Sequence, residues 1–165
     1  MSRSPEVRLA DVDESMLEGL LALARQDAAP EEVTPPLGNG SGWNTERIDW
    51  FVAYQRAASA GLDGPAGEKS WAVLCDGKPA GSVRLKRTAE PHTAETGIWL
   101  GRRFRGRKVG AAALQLVLAE ARSAGLLQVV ARTTAANIGA QRILSGAGAH
   151  LTHDDGGAVS AAVGL

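Results

Sequence analysis

Five cations stand within seven residues, at Arg102, Arg103, Arg105, Arg107 and Lys108, interleaved with Gly106 and followed by Gly110. Directly after them, the alanine- and leucine-rich run from Val109 to Ala124 predicts the strongest helix of the chain, ended by Gly125. The opening turn of a helix offers backbone N–H groups without intrahelical partners, together with the positive end of the helix dipole. Glycines there let a ligand approach the backbone closely. The chemistry that such a turn suits is the binding of a diphosphate. It is not a Walker loop, because the Gly-x4-Gly-Lys-Ser/Thr order is absent, and it is not a dinucleotide fingerprint, because Gly-x-Gly-x2-Gly does not occur there. A solvated basic loop capping a helix accounts for the same charges, so the residues alone leave both readings open.

The elements that must position this turn read as a mixed α/β domain. Val7 to Ala10 is a short apolar segment, and Asp11 is placed to cap a helix whose apolar residues recur from Met16 to Ala24. Pro30 to Asn44 is rich in proline and glycine without periodicity and reads as a long loop. Thr45 can cap a second helix carrying Ile48, Phe51, Val52 and Gln55 on one face, with Trp50 and Tyr54 beside it. Ser70 to Cys75 and Pro79 to Arg87 predict a hairpin through Asp76-Gly77-Lys78. Thr93 to Leu100 is a strand leading into the basic turn, Leu126 to Thr133 a strand after the helix, and Asn137 to Gly146 a last helix. The tail from His150 to Leu165 predicts a hairpin turning at Asp154 to Gly157.

Bulk properties narrow the function classes. The chain has 165 residues, enough for one domain with one substantial core, and 1–165 reads as that single domain. Its formal net charge is zero, so only a local basic feature speaks for an anionic partner, and a nucleic-acid-binding domain rests on the basic cluster alone. A single cysteine, Cys75, excludes an intramolecular disulfide framework; alternating with apolar neighbours, it reads as a core residue. His150, His153, Asp154 and Asp155 are a poor metal set, and no metal is expected. Met1 to Glu6 lead into no apolar run and no stretch is long enough to span a bilayer, so no membrane partner and a cytoplasmic setting are expected.

Arg105-Gly106-Arg107-Lys108-Val109-Gly110 resembles the acetyl-CoA motif Gln/Arg-x-x-Gly-x-Gly/Ala of the GNAT family of N-acetyltransferases, with Leu114 at its usual helix leucine. Lys108 stands where the first motif glycine belongs; if that position needs a positive φ, lysine costs about 1 kcal/mol there. The flanks are similar too. Asn137, Ala140 and Gly148 keep the family's spacing in the last helix, whereas Leu144 replaces its tyrosine and Ala149 its closing phenylalanine. From Ser70 to Gly148, about half of the chain, the elements follow the family order. The resemblance implies a GNAT fold: a single mixed, mostly antiparallel sheet with a central splayed strand pair, flanked by helices.

It also implies acetyl-CoA as co-substrate, with Ile98, Trp99 and Leu100 along the pantetheine arm. Arg105, Gly106, Arg107, Lys108, Val109, Gly110 and Ala111 then surround the diphosphate, and Asn137 opens the next helix beside it. The acceptor amine needs a carboxylate to receive its proton, usually through water, and Glu95 is the implied base. An ion pair with a nearby arginine is the competing role for Glu95, and His92 is a second candidate base. With Leu144 in place of the tyrosine, direct attack without a dedicated acid is expected, Tyr54 being the remaining phenol. Trp43, Trp50, Tyr54 and Asp155 are candidate acceptor-binding residues, and with Glu31, Glu32, Asp49 and Asp154 they suit a polycation or aminosugar. The end of the chain, Asp154 to Val159, resembles faintly some aminoglycoside acetyltransferases, which would make antibiotic resistance a role. The leading expectation is therefore acetylation of a small-molecule primary amine. A ribosomal-protein-type N-terminal acetyltransferase and a silent acetyl-CoA-binding module are the rivals, and a homodimer is left open.

Overall fold

The alternation between residues 68 and 87 folds into the expected hairpin, and the sheet grows outward from it. In the computed structural model, which describes residues 4–40 and 42–165, the elements follow in the order β1 (Val7–Asp11), α1 (Glu14–Asp27), α2 (Pro30–Val33), α3 (Thr45–Ala58), β2 (Glu68–Cys75), β3 (Lys78–Arg87), β4 (Thr93–Leu100), α4 (Val109–Ser123), β5 (Gln128–Thr134), α5 (Ile138–Gly146), β6 (His150–His153) and β7 (Ala158–Gly164). Seven strands form one sheet in the order β1-β2-β3-β4-β5-β7-β6. All neighbours are antiparallel except β4 and β5. This is the mixed sheet flanked by helices that the resemblance implies.

Three local expectations are corrected. Asp13, not Asp11, caps α1 by accepting from the Met16 N–H at 2.7 Å, while Asp11 ends β1 and pairs with Lys69. Asn44, not Thr45, caps α3, accepting from the Arg47 N–H at 2.8 Å; in both helices the capping oxygen sits three residues before the donor it reaches. The loop from Pro30 contains one helical turn, because proline fits a first helical position and Glu32 reaches back to the Ala29 N–H at 2.9 Å. Asp76 and Gly77 both have positive φ and close the β2–β3 hairpin in two residues, the geometry that an Asp-Gly pair favours.

The sheet carries a helical layer on each face. On one, Val73, Val83, Leu85, Ala94 and Val129 pack with Val109, Ala113, Leu114, Val117 and Leu118 of α4. On the other, Ala72 and Leu74 pack with Leu17, Leu20 and Ala24 of α1 and Phe51 of α3. Each of the valines, leucines and Phe51 among them, fully buried, contributes about 1.5–3 kcal/mol. Together they hold β3 and β4 firmly between the layers.

The feature that matters for function is where β4 and β5 part. They pair only over Thr93–Glu95 and Gln128–Val130. Beyond that point β4 stays with β3 up to the Gly81↔Leu100 pair, and β5 stays with β7 up to the Thr134↔Ala158 pair. Each strand keeps its longer antiparallel ladder, so the opening falls on the short parallel one. At Gly81 the backbones of β3 and β4 come so close that a Cβ would collide with the Trp99 carbonyl oxygen. The splayed pair is thus set by contacts on its outer sides.

Candidate active site

The basic turn between β4 and α4 is built against the rest of the protein by three contacts. The Arg103 backbone N–H and guanidinium Nε donate to the Asp27 carboxylate at 2.9 and 3.2 Å, so the hydrogen bond from that N–H, with the guanidinium behind it, holds Asp27 below the usual carboxylate range. Phe104 is buried, with the Arg103 and Arg107 guanidinium carbons each 5.8 Å from its ring centre. Arg105 folds back, donating to the Leu100 carbonyl at 2.9 and 3.1 Å and to Glu32 at 2.8 Å.

With those three groups anchored, the chain passes Gly106 and Lys108, both at positive φ, and enters α4. Lys108 adopts a left-handed conformation with a φ of 66°, the case in which a lysine stands where glycine is cheaper. The first helical bond runs from the Ala112 N–H to the Lys108 carbonyl at 3.1 Å. The N–H groups of Val109, Gly110 and Ala111 are the orphan donors of this helix start, and among the described residues no side chain caps them. A Cβ at Gly110 would sit 3.1 Å from the Ile143 side chain, whereas at Gly106 it would meet open space. Among the described residues Arg102, Arg107 and Lys108 form no ion pair. Free amides, unpaired cations and a glycine tightly backed by Ile143 can hold a diphosphate, and this observation fits the coenzyme that the resemblance implies.

Ile98, Trp99 and Leu100 lie on the part of β4 beyond its last pairing with β5, beside the opening. Asn137 caps α5, accepting from the Ala140 N–H at 3.0 Å, so its side-chain oxygen is engaged within the helix start. Leu144 is buried against α4. Cys75 is buried in the same layer and is positioned as a core residue.

On the opposite face of the sheet a cleft of about 740 Å³ opens between α2, α3 and strands β2 to β4. Its floor is a charged relay. The Tyr54 hydroxyl donates to Glu68, Arg84 lies 3.8 Å from Glu68, and Arg84 donates to Glu95 at 3.2 Å. Burial, reinforced by the Glu68 carboxylate, pushes the Tyr54 phenol well above its ordinary pKa, so the hydroxyl stays a donor. Trp50 stacks on Tyr54 with ring centres 5.0 Å apart and planes 9° apart. Below them, Ser70 donates to Gln55 at 2.8 Å and the Gln55 amide donates to Ser82 at 3.4 Å, fixing α3 onto β2 and β3.

Of the residues singled out in the sequence, Glu95, Trp50, Tyr54, Glu31, Glu32 and the Ile98–Trp99 stretch line this cleft. Trp43 does not: its ring N–H donates to the Ala28 carbonyl at 3.2 Å and its edge meets Phe51. Asp155 lies exposed in the β6–β7 turn, where Asp154 accepts from the Gly156 and Ala158 N–H groups. His92 sits exposed before β4. Sequence reasoning missed Glu68 and Arg84. The available signal was phase: Glu68 and Ser70 share a pleat face with Ala72 and Leu74, and Arg84 shares one with Ser82, so polar side chains continue a buried face.

A parted parallel strand pair, a helix start with free amides at its mouth and a polar cleft across the sheet together define the class of coenzyme-A-dependent acyltransferases. The sequence profile of the Acetyltransferase (GNAT) family matches residues 39–148, more than half of the chain, and the chain belongs to that family of acetyl-CoA-dependent N-acetyltransferases. Three solved structures illustrate the fold. The chain is similar to Mycobacterium smegmatis RimJ in complex with CoA-disulfide, with 16% identity and a TM-score of 0.75 over 96% of this chain and 82% of that one. It is similar to RimL, a ribosomal L7/L12 alpha-N-protein acetyltransferase in complex with coenzyme A, with 18% identity and a TM-score of 0.72 over 96% and 94%. It is similar to the microcin C7 self immunity acetyltransferase MccE in complex with acetyl-CoA and AMP, with 17% identity and a TM-score of 0.72 over 97% and 93%. No curated protein sequence matches the chain. Among the described residues no group of three or more His, Cys, Asp or Glu side chains could hold a metal ion, and no helix is long and apolar enough to cross a membrane.

Proposed function

We propose that this enzyme acetylates the primary amine of a small molecule seated in the cleft, by direct attack, with Glu95 receiving the amine proton. The observation that carries the reading is the position of Glu95: it lies at the last β4–β5 pair, where the strands part, and lines the cleft floor. Acetyl-CoA supplies the acyl group as a thioester. The N–H groups of Val109, Gly110 and Ala111, with Arg107 and Lys108, bind its diphosphate; Gly106 leaves room, and Ile98, Trp99 and Leu100 flank the arm. Arg105 and Asn137 support this site by position, Arg105 tying the turn to β4 and Asn137 opening α5.

Glu95 works as a base only while its carboxylate points into the cleft, and Arg84 holds it there while also reaching Glu68. Two carboxylates sharing one guanidinium leave a net negative charge on the floor, which attracts an ammonium group and brings it to Glu95, the carboxylate placed to receive its proton. Tyr54 has its one proton committed to Glu68 and is a positioning residue, so departure of the thiol proceeds without a dedicated acid. A cleft of about 740 Å³ lies within the ordinary range for a small-molecule site.

The case for a polycation such as an aminoglycoside is weaker. Glu31 pairs with Arg47, Glu32 with Arg105, and Glu68 and Glu95 with Arg84, and Lys86 and Arg87 add positive charge to the lining. One ammonium, rather than several, matches that balance. The test is free-thiol release from acetyl-CoA across aminoglycosides, polyamines, amino acids and short peptides. Turnover confined to monoamines supports the reading, and a clear preference for polyamines overturns the charge argument. If acetyl-CoA raises the melting temperature while no amine releases thiol, the chain is a silent binder.

A further inference from the structure

The acceptor cleft does not end at Glu95. A second hollow of about 460 Å³ shares Thr88 and Glu95 with the cleft and continues over β5, β7 and β6. Strand register fixes its floor. Glu95 is level with Val130, Val130 with Ala162, and Ala162 with His150, so these four form one row across four strands. One step along, Arg132 is level with Ser160 and Ser160 with Thr152. The first row is low in its middle, where Val130 and Ala162 are small. The second sets a guanidinium beside two hydroxyls. Arg132, Ser160, Thr152 and His150 are all exposed, and among the described residues Arg132 makes no ion pair and no side-chain hydrogen bond.

We infer that this hollow is a second acceptor subsite that binds a carboxylate carried by the same molecule as the amine; the inference rests on the reading of Glu95 as the amine end. Charge complementarity selects the occupant. Of the two carboxylates in the lining, Glu95 is held by Arg84, and Glu90 lies at the other end, in the β3–β4 connection. The Arg132 end therefore offers a guanidinium with hydroxyl donors next to it, which matches a monoanion that a planar fork can hold through two parallel bonds. A phosphate dianion calls for more cations than the hollow supplies. Continuity selects the connection, since a molecule with its amine at Glu95 can extend into the hollow without leaving the surface. With strands about 4.8 Å apart and a rise of about 3.3 Å per residue, Arg132 lies about 8 Å from Glu95 by backbone position. The favoured acceptor is therefore an amine separated from its carboxylate by about that distance or somewhat more, reached through a neutral spacer that lies on Val130 and Ala162.

The test uses a ladder of ω-amino carboxylic acids of increasing chain length, each compared with its terminal amide, and reads thiol release from acetyl-CoA. At the matched length the acid should have a KM about 10-fold below that of its amide with similar kcat, and shorter acids should show no advantage. Arg132→Gln should erase the difference and leave amide turnover and acetyl-CoA affinity unchanged. Equal KM values for acid and amide at every length, or a preference that survives Arg132→Gln, overturn the inference. Calorimetric titration of the same acids onto the protein with coenzyme A present makes the outcome independent of turnover. Binding that weakens about 10-fold in Arg132→Gln supports the subsite even if no amine is acetylated, and absent or unaltered binding overturns it.

Discussion

The basic turn and the acceptor cleft meet at β4 but are made in opposite ways. The turn is continuous in the chain, presents backbone N–H groups, and among the described residues leaves Arg102, Arg107 and Lys108 without ion-pair partners. The cleft draws on α2, α3, β2, β3 and β4, and presents side chains whose carboxylates each have an arginine partner. A site made of backbone tolerates exchange of its side chains as long as the φ angles and the space are kept, which is how a lysine can occupy a glycine position at 108. A site made of paired side chains is sensitive to changes of a single atom. On the proposed function, the difference teaches where specificity resides: the turn would serve a group common to every coenzyme A ester, and the cleft would set which amine is taken.

The contrast is broken most severely at Gly110. Gly110→Asp adds bulk 3.1 Å from Ile143 and a negative charge beside the amides, and should weaken acetyl-CoA binding about 1,000-fold, or ~4 kcal/mol. Calorimetry measures this directly, and retained affinity would mean that the diphosphate lies elsewhere. On the cleft side, Glu95→Gln keeps the shape and removes the proposed base. Turnover should fall about 100-fold and lose its rise with pH, while acetyl-CoA affinity holds; an unchanged pH–rate profile would leave Glu95 only its ion pair with Arg84.

Smaller effects sharpen the same comparison. Tyr54→Phe removes a donor to a buried carboxylate and should cost about 1–2 kcal/mol of stability in chemical denaturation, with acetyl-CoA binding untouched. The same tyrosine gives a pH signature. Its folded pKa is raised above the ordinary 10.0, so its contribution to stability is complete below pH 10.0 and is lost as pH rises beyond it. Because the chain has one tyrosine, ultraviolet titration of the folded protein should detect no phenolate at the pH where the unfolded chain ionises. Ionisation at the ordinary pH would place Tyr54 outside the relay. The smallest change is Lys108→Gly: relief of the left-handed lysine should stabilise the fold by up to about 1 kcal/mol, while acetyl-CoA affinity drops a few-fold with the lost charge. A large loss of affinity would make the lysine side chain, rather than the backbone, the phosphate ligand.

Much of the fold is legible along the chain because its signals are local. The Asp76-Gly77 turn, the apolar strands and the alanine-rich α4 each depend on neighbours within a few positions, and the basic turn is a continuous segment whose chemistry follows from helix geometry. The caps lie one or two residues from where residue type alone places them, because Asp11 and Asp13, or Asn44 and Thr45, are equally able residues in the chain and only the backbone geometry chooses between them. Glu68 and Arg84 escaped notice because their importance lies in a partnership. A glutamate at a strand start and an arginine in the next strand become a floor only when α3 brings Tyr54 over them. Trp43 and Asp155 could be drawn into an acceptor site on residue type, but packing on Phe51 and the β6–β7 turn decide where they lie.

The sequence by itself determined the order of the strands and of the longer helices, the place of the basic turn at the start of α4 and the carboxylate on the strand before it, since each is a short-range pattern of residue type and spacing. The tertiary structure alone decided that β4 and β5 part after Glu95, that Arg84 joins Glu68 to Glu95, and that a second hollow runs on toward Arg132. These depend on which strands stay paired and which side chains cross between elements, and the balance of many contacts between distant residues settles both.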